Sequence, residues 1–253
     1  METQYLKNIK KGMKVEILTN NNKVYKGIVE DIASRVQFSE KGILVRLKTG
    51  EIGRVQKILD KKSEPEKNIE KWIKEGENFQ LEFKSSALWS SDFTKEQINQ
   101  SKSYELHTFK QKTSKVIIAK SIAAMMNSEG GNLLIGVKEK KIEKGGYEIV
   151  GIEEDLKKIK DQTKDGYRRM IIDEIIRAYF PSKIYNHLNS YINIDFVEID
   201  NKTICHISIK RSDTKVFLKI NDKEIFMIRI DSENRSLEGE KLVDYCIKHF
   251  RAF

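Results

Sequence analysis

The chain has little of what disulfide-stapled or membrane-embedded folds require. Its 253 residues include only two cysteines, Cys205 and Cys246, which are too few for a disulfide framework and too far apart for a metal-spaced pair. No stretch approaches the ~20 apolar residues of a membrane span, and the N-terminus has no apolar signal region. We therefore expect a cytoplasmic protein with an ordinary hydrophobic core, in which both cysteines are small buried residues.

Acidic residues are too few to balance the basic ones. The chain has 47 lysines and arginines against 38 acids, a net charge of +9. Such an excess favours a polyanionic partner, most often nucleic acid, although a soluble protein from a lysine-rich proteome is the alternative. Residues 1–60 hold 12 basic and 7 acidic residues, so a net +5 lies in this short segment.

The hydrophobic pattern predicts an α+β (mixed α/β) protein in two parts. Residues 1–60 alternate as short strands separated by polar turns, which is typical of a small β-barrel. Residues 61–75 read as a polar linker, which contains Pro65, and a short helix that ends at Gly76. Residues 76–253 form the second predicted domain, a mixed sheet with packed helices.

In the second domain the spacing of apolar residues predicts both strands and helices. In 79–84 the apolar residues alternate, which places Glu82 and Lys84 on one face. Residues 115–127 are apolar nearly all round, as in a buried helix, and 132–137 read as a central strand. The remaining predicted elements are strand 147–152, helix 166–179, strands 191–199, 203–210, 215–220 and 225–230, and helix 237–250.

Three acids fall at the edges of this predicted sheet. Glu77, Glu82 and Glu139 could supply the carboxylate oxygens that Mg²⁺ or Mn²⁺ prefers, and Lys84 could stabilise phosphate charge. Five positions separate Glu77 from Glu82, so a shared site requires Glu77 in the turn after Gly76. These residues are the candidate catalytic and metal-binding set of a phosphodiesterase. Solvated glutamates are the alternative.

Two further features bear on ligands. Gly130-Gly131 follows a helix rather than opening one, so it does not match a phosphate loop, and positive φ with close packing explains it better. ATP therefore stays a minor alternative. The basic residues predicted to bind nucleic acid are Lys110, Lys112, Arg211, Arg229 and Arg235. For Arg229, which lies inside an apolar strand, phosphate contact and a structural ion pair both stay open.

Three segments together resemble a known family. ENFQLEFKSS, IAAMMNSEGGNLLIGVKE and FMIRIDSENRSLEGEKLVDYC are similar to motifs of the Schlafen AlbA-type domain, in the same order, over about 75–248. Residues 12–58 are similar to the small YwbE-like module. The first resemblance implies a mixed α/β domain, and the second adds only an expectation of nucleic-acid binding.

The Schlafen resemblance also implies an activity. Animal Schlafen domains cleave transfer and ribosomal RNA with a metal-dependent acid triad, which would fall here on Glu77, Glu82 and Glu139. This chain has Lys138-Glu139 where the family commonly shows two acids. The animal enzymes use paired copies of the domain, so the resemblance implies a homodimer or a partner subunit. Many bacterial relatives are labelled only as DNA-binding or ATP-binding.

Three hypotheses follow for function. The first is a Mg²⁺- or Mn²⁺-dependent endoribonuclease acting on structured RNA of the transfer-RNA class, in antiviral defence or stress. The second is a regulator that binds DNA or RNA without cutting it. The third is an ATP- or nucleotide-binding subunit of a larger complex.

Overall fold

The structure, a computed structural model, describes residues 2–59, 64–140 and 146–250. The chain divides into two compact units, Met1–Lys67 and Asn68–Phe253. The predicted fold class is confirmed, since a closed barrel is followed by mixed sheets and helices. Residues 61–63 of the predicted linker and residues 141–145, which belong to a charged hairpin predicted from the sequence at 138–146, lie outside the described residues.

The first unit is a four-stranded barrel. Its strands are β1 (Lys14–Leu18), β2 (Val24–Ile32), β3 (Leu44–Leu47) and β4 (Ile52–Ile58). Each pairs with the next in antiparallel fashion, and β4 pairs back to β1, so no strand edge is left open among these four. Alternate strand residues fill the interior, among them Val15, Ile17, Val29, Val45, Leu47 and Val55. This strand alternation is what the sequence predicts.

The helix after the barrel begins earlier than expected. Helix α1 spans Glu64–Glu75 and therefore starts within the predicted linker. Pro65 is tolerated there because the first turn of a helix needs no N–H donors from its own residues. The helix ends before Gly76, whose φ of +79° suits a residue without a Cβ.

The remaining elements belong to the second unit. In chain order they are β5 (Leu81–Lys84), α2 (Lys95–Gln100), α3 (Tyr104–Phe109), α4 (Thr113–Met126), β6 (Gly131–Ile135), β7 (Val137–Glu139), β8 (Tyr147–Ile149), α5 (Glu153–Lys158), α6 (Lys164–Ile171), α7 (Arg177–Tyr179), α8 (Ser182–Asn186), α9 (Leu188–Tyr191), β9 (Ile192–Ile199), β10 (Lys202–Ile209), β11 (Phe217–Ile220), β12 (Lys223–Ile230), β13 (Glu233–Leu237) and α10 (Gly239–His249).

Two sheets meet at one buried helix. The first sheet runs β5-β6-β10-β9, with β5 parallel to β6 and the other pairs antiparallel. The second is the antiparallel sheet β11-β12-β13. Helix α4 contacts strands of both. It is buried around nearly its whole circumference, through residues such as Ile118, Ile122 and Met125, as its unbroken apolar sequence predicts.

Asn127 joins the end of α4 to the second sheet. Its side-chain amide donates to the carbonyls of Val216 and Met227 at 2.8 and 2.9 Å, and its Oδ1 accepts from the N–H of Val216. Asn127 is fully buried, so these bonds replace those it would make with water. They fix β12 beside α4.

The glycine turn after α4 is a packing feature. A Cβ on Gly130 would lie 2.6 Å from the Ile209 carbonyl oxygen, and one on Gly131 would lie 2.6 Å from that of Gln80. Gly130 also has a φ of +72°. Both glycines are therefore needed for close backbone approach, as the sequence pattern indicates.

One predicted strand proves to be two. The segment 132–137 bends at Gly136, whose φ is +104° and whose missing Cβ makes room for the backbone of Gly151. Residues before the bend belong to β6 in the first sheet, whereas β7 pairs separately with β8. The prediction of one continuous strand is therefore wrong, and Glu139 ends a different sheet from Glu82.

Several helical segments also differ from expectation. The predicted helix 166–179 is divided into α6, a π-helical turn at Ile172–Ile176, and α7. The short elements α5, α8, α9 and β13 have no counterpart in the sequence prediction, since they are too short to show a period. Within the described ranges, no helix has the length and apolar composition needed to cross a membrane.

Candidate nucleic-acid and carboxylate site

Arg229 lies at the centre of the predicted acid site. Its side chain is 0% exposed on β12. The Nε–H donates to the carbonyls of Asn78 and Phe79 at 3.2 Å, and Nη2 donates to those of Asn78 and Leu81 at 2.8 and 3.0 Å. Nη1 pairs with the carboxylate of Glu82. Of the two alternatives for Arg229, the structure therefore supports the ion pair, and the prediction of a nucleic-acid contact is wrong because every guanidinium nitrogen is buried and bonded.

Glu82 is held by two cations. It lies on β5 with its side chain only 5% exposed, and its second oxygen accepts from Nζ of Lys84. Ser121 Oγ donates to the same oxygen at 3.4 Å, and Asn234 Nδ2 donates to Ser121 Oγ at 3.0 Å. The predicted pairing of Glu82 with Lys84 on one face is what the structure has. The carboxylate, however, is already neutralised by Lys84 and Arg229.

Glu77 lies in the turn before β5, where a shared site requires it. Its Oε1 accepts the backbone N–H of Phe83 at 2.6 Å. Burial raises the pKa of Glu77 above its ordinary value, and the nearby charge of Glu82 adds to the rise. The Phe83 hydrogen bond and the charges of Lys84 and Arg229 oppose it. A half-buried carboxyl with a raised pKa is one feature of functional sites.

Tyr147 packs between Glu139 and the strand that carries Glu82. It is the cross-strand partner of Glu139, which is exposed at the end of β7. Its ring packs edge-on against that of Phe83, with ring centroids 4.8 Å apart. Burial raises the pKa of Tyr147, and the charges of Glu77, Glu139 and Glu82 raise it further, against a hydrogen bond with the Glu77 backbone. Tyr147 is not among the residues predicted from the sequence. Its position across the hairpin from Glu139 was the available signal.

These residues do not fit a resident Mg²⁺ or Mn²⁺. Within residues 2–59, 64–140 and 146–250, no group of three histidine, cysteine or acidic side chains could hold one metal ion. Both oxygens of Glu82 accept from positive groups, whereas a hard cation needs carboxylate oxygens that are free to coordinate it. We call Glu77, Glu82, Lys84, Tyr147 and Arg229 the carboxylate cluster.

The predicted lysines form a separate feature. Lys110 and Lys112 are exposed, and neither has an ion-pair partner in the described part of the chain. Both line an open cavity of about 600 Å³, whose wall also includes Phe109, Tyr179 and Lys219. Lys110 has φ +53° and ψ −133°, a conformation that costs a residue with a side chain and often occurs at functional positions. We call these five residues the lysine pocket.

The other two predicted arginines make surface ion pairs. Arg211 pairs with Glu129 at 3.0 Å and also donates to the His249 carbonyl at 2.7 Å. Arg235 pairs with Glu233 at 2.7 Å, with both side chains more than half exposed. Exposed pairs contribute little to stability, so a phosphate could replace either acid.

Comparison with protein families is decisive for classification. A family model described as "Schlafen, AlbA_2" matches residues 77–238, a range that begins at Glu77 and contains both the carboxylate cluster and the lysine pocket. The chain belongs to the Schlafen AlbA_2 family. This membership supports a nucleic-acid-binding, Schlafen-like protein. A second model, described as an uncharacterized conserved protein, matches residues 2–58 and is compatible with the barrel module.

The other comparisons add little to the classification of this Schlafen AlbA_2 protein. No curated protein matches the chain. Among solved structures it is similar to the crystal structure of the DIP2311 protein from Corynebacterium diphtheriae, with 12% identity and a TM-score of 0.40. The match covers 67% of this chain but only 27% of that one, so this chain spans about a quarter of the other protein. No function transfers at this level of similarity.

Replacement of Glu77 by glutamine tests the raised pKa. Because the folded carboxyl binds its proton more tightly than the unfolded one, the native protein loses stability as pH rises from the ordinary value of 4.5 through the raised pKa. Glutamine stays neutral and still accepts the Phe83 N–H. The free energy of unfolding of Glu77→Gln should therefore rise relative to that of the native protein as pH increases over this interval. Urea unfolding between about pH 4 and about pH 8 measures this difference.

The exposed variant Glu139→Gln controls for the loss of one negative charge. The raised pKa of Glu77 would be contradicted if the free energy of unfolding of Glu77→Gln, relative to that of the native protein, stayed constant or fell as pH rises.

Proposed function

We propose that this Schlafen AlbA_2 protein acts in the cytoplasm by binding structured RNA of the transfer-RNA class, without cutting it. The observation that carries the proposal is the lysine pocket, in which two exposed lysines without acidic partners in the described residues stand beside an open cavity. RNA helices are recognised mostly through shape and through phosphate and 2′-hydroxyl contacts. A pocket of this kind offers such contacts without needing base-specific groups.

The surroundings of the lysine pocket are mostly basic or aromatic, although Asp222 lines the same cavity and pairs with Lys219 at 3.7 Å. Lys112 immediately precedes α4, and the first turn of that helix contains no acidic residue. The partial positive charge of a helix N-terminus therefore adds to the charges of Lys110 and Lys112. Phe109 and Tyr179 supply aromatic surface in the same wall. The whole chain, at +9, attracts a polyanion at longer range.

The carboxylate cluster favours binding over cleavage. A nuclease site must neutralise the charge that develops on the phosphate, whereas in this cluster the positive groups already neutralise Glu82. Arg229 has no nitrogen left for a substrate. The cluster therefore acts as a structural centre of the second unit rather than as a cleavage site.

The lysine pocket predicts a specific salt dependence. Removal of one lysine–phosphate interaction should reduce the slope of log affinity against log salt concentration by about one. The double variant Lys110→Ala/Lys112→Ala should bind transfer RNA more weakly, with a slope smaller by about two. Fluorescence anisotropy with labelled transfer RNA over a range of KCl concentrations measures both quantities, and duplex DNA serves as the comparison ligand.

The matched control removes two exposed lysines from α10. Lys241→Ala/Lys248→Ala changes the net charge equally but leaves the lysine pocket intact. The proposal predicts a clearly smaller effect for this control. Equal decreases in affinity for the two double variants would show that only overall charge matters and would reject the lysine pocket as the binding site.

A metal-dependent endoribonuclease, acting in antiviral defence, is the second candidate. One observation favours it, namely that Tyr147, the cross-strand partner of Glu139, packs against Phe83 of the strand that carries Glu82. It requires a rearrangement that frees Glu82 from Lys84. A nucleotide-binding subunit has less support, because the space beside Gly130 and Gly131 is filled by backbone.

Glu139→Ala separates binding from cleavage. Glu139 is exposed, so its removal leaves Arg229 paired, unlike removal of Glu82. Transfer RNA is incubated with the native protein, Glu139→Ala and the neighbouring control Lys138→Ala, in Mn²⁺, Mg²⁺ or EDTA, and is then resolved on a denaturing gel. We expect intact RNA in every lane. Cleavage that requires the metal and is abolished only in Glu139→Ala would contradict our proposal and support the nuclease.

The same preparations report the oligomeric state. We expect a homodimer, which light scattering would detect as a doubled mass.

A further inference from the structure

Two aromatic side chains stand on the outside of the barrel. Tyr5 and Phe38 are 44% and 46% exposed, and neither belongs to the core of the barrel. Their rings contact each other with centroids 5.0 Å apart and planes inclined at 52°. Large aromatic side chains usually contribute to the core, but here aliphatic residues fill the barrel interior. The aromatic pair, Tyr5 with Phe38, therefore has faces left open to solvent.

The backbone beneath the aromatic pair is firmly held. Tyr5 and Phe38 form an isolated antiparallel bridge. On either side of it, the Leu6 N–H donates to the Gln37 carbonyl at 2.9 Å and the Ser39 N–H donates to the Gln4 carbonyl at 2.8 Å. The rings are thus presented on ordered backbone, so that binding would not carry the entropic cost of ordering this surface.

Basic side chains accompany the rings. Nζ of Lys7 lies 5.7 Å from the centroid of the Tyr5 ring. Lys10 on the same segment and Arg35 and Lys41 on the other are exposed, against the exposed acid Glu40. Aromatic faces beside cations are the two components of surfaces that bind single-stranded nucleic acid, in which bases stack on rings and phosphates meet lysine or arginine.

We propose that the aromatic pair is a stacking surface for the bases of a single-stranded nucleic acid, with Lys7 and its basic neighbours contacting the phosphates. The inference extends the proposed function, and rests on it, by adding a second contact in the barrel unit. A single strand is favoured over a duplex because bases inside a helix are already stacked and offer no free face. The net +5 of residues 1–60 favours a polyanion over an apolar protein partner.

The test uses the full chain and a fluorescein-labelled oligothymidylate of about 12 nucleotides, within the range of single-strand site sizes. Tyr5→Ala/Phe38→Ala should weaken binding roughly tenfold or more, measured by fluorescence anisotropy. Tyr5→Leu/Phe38→Leu keeps apolar volume but removes the rings, and it should weaken binding similarly. Agreement between the two variants, with unchanged thermal unfolding, attributes the weaker binding to stacking rather than to misfolding.

Two controls define the comparison. Tyr5→Phe keeps both rings and should bind almost as well as the native protein. Val24→Ala removes a more accessible apolar side chain, 57% exposed, from another part of the barrel and should have no effect. Oligothymidylate affinity that is unchanged in both ring-deleting variants would overturn the inference. A change in oligomeric state in those variants, with binding intact, would overturn it in favour of a protein partner.

The outcomes also separate this inference from the proposed function. If the native protein binds transfer RNA through the lysine pocket while the ring-deleting variants still bind oligothymidylate normally, only the stacking surface is rejected. If the native protein binds neither ligand, both proposals fail.

Discussion

The second unit depends on one buried guanidinium. Arg229 reaches from β12 in the second sheet to the turn before β5 in the first, where it bonds three backbone carbonyls and the Glu82 carboxylate. Desolvating both charges costs several kcal/mol, and the geometry offsets that cost because every nitrogen finds an acceptor. The same contacts join two sheets that are otherwise linked mainly through α4. An apolar residue at this position would leave the turn carbonyls without these donors.

This interaction also decides what the acids can do. The Glu82 carboxylate pairs with both Arg229 and Lys84, so its two oxygens stabilise the fold and are not free to contact a substrate. Glu77 accepts a backbone N–H, and Glu139 follows the bend at Gly136 into another sheet. The positive groups left for nucleic acid lie elsewhere, in the lysine pocket and beside the aromatic pair on the barrel. The protein thereby combines a neutralised acidic centre with the basic surfaces that we propose as binding sites.

Local pattern accounts for much of this structure, and long-range contact accounts for the rest. Burial is predicted directly by the alternation of apolar residues in segments such as 15–18 and 203–210. The unbroken apolar run of α4 predicts the burial of that helix in the same way. The break at Gly136 was not predictable in this way, because it depends on the approach of Gly151 from a distant segment. The sequence placed Glu77, Glu82 and Lys84 together, since they are neighbours on the chain. It left Arg229 undecided, and its one sign of Tyr147 was the position of that residue across the hairpin from Glu139, because the acids named with Tyr147 come from two segments that only the fold brings together.

A double-mutant cycle on Glu82 and Arg229 tests the central claim most directly. The free energies of unfolding of the native protein, Glu82→Gln, Arg229→Met and the double variant are measured in urea. We expect Arg229→Met to cost about 3–5 kcal/mol, because it leaves several buried carbonyls without a donor and the buried Glu82 carboxylate with Lys84 alone. We expect the double variant to cost at least about 1 kcal/mol less than the sum of the single changes. Single effects below about 0.5 kcal/mol that simply add would contradict the account.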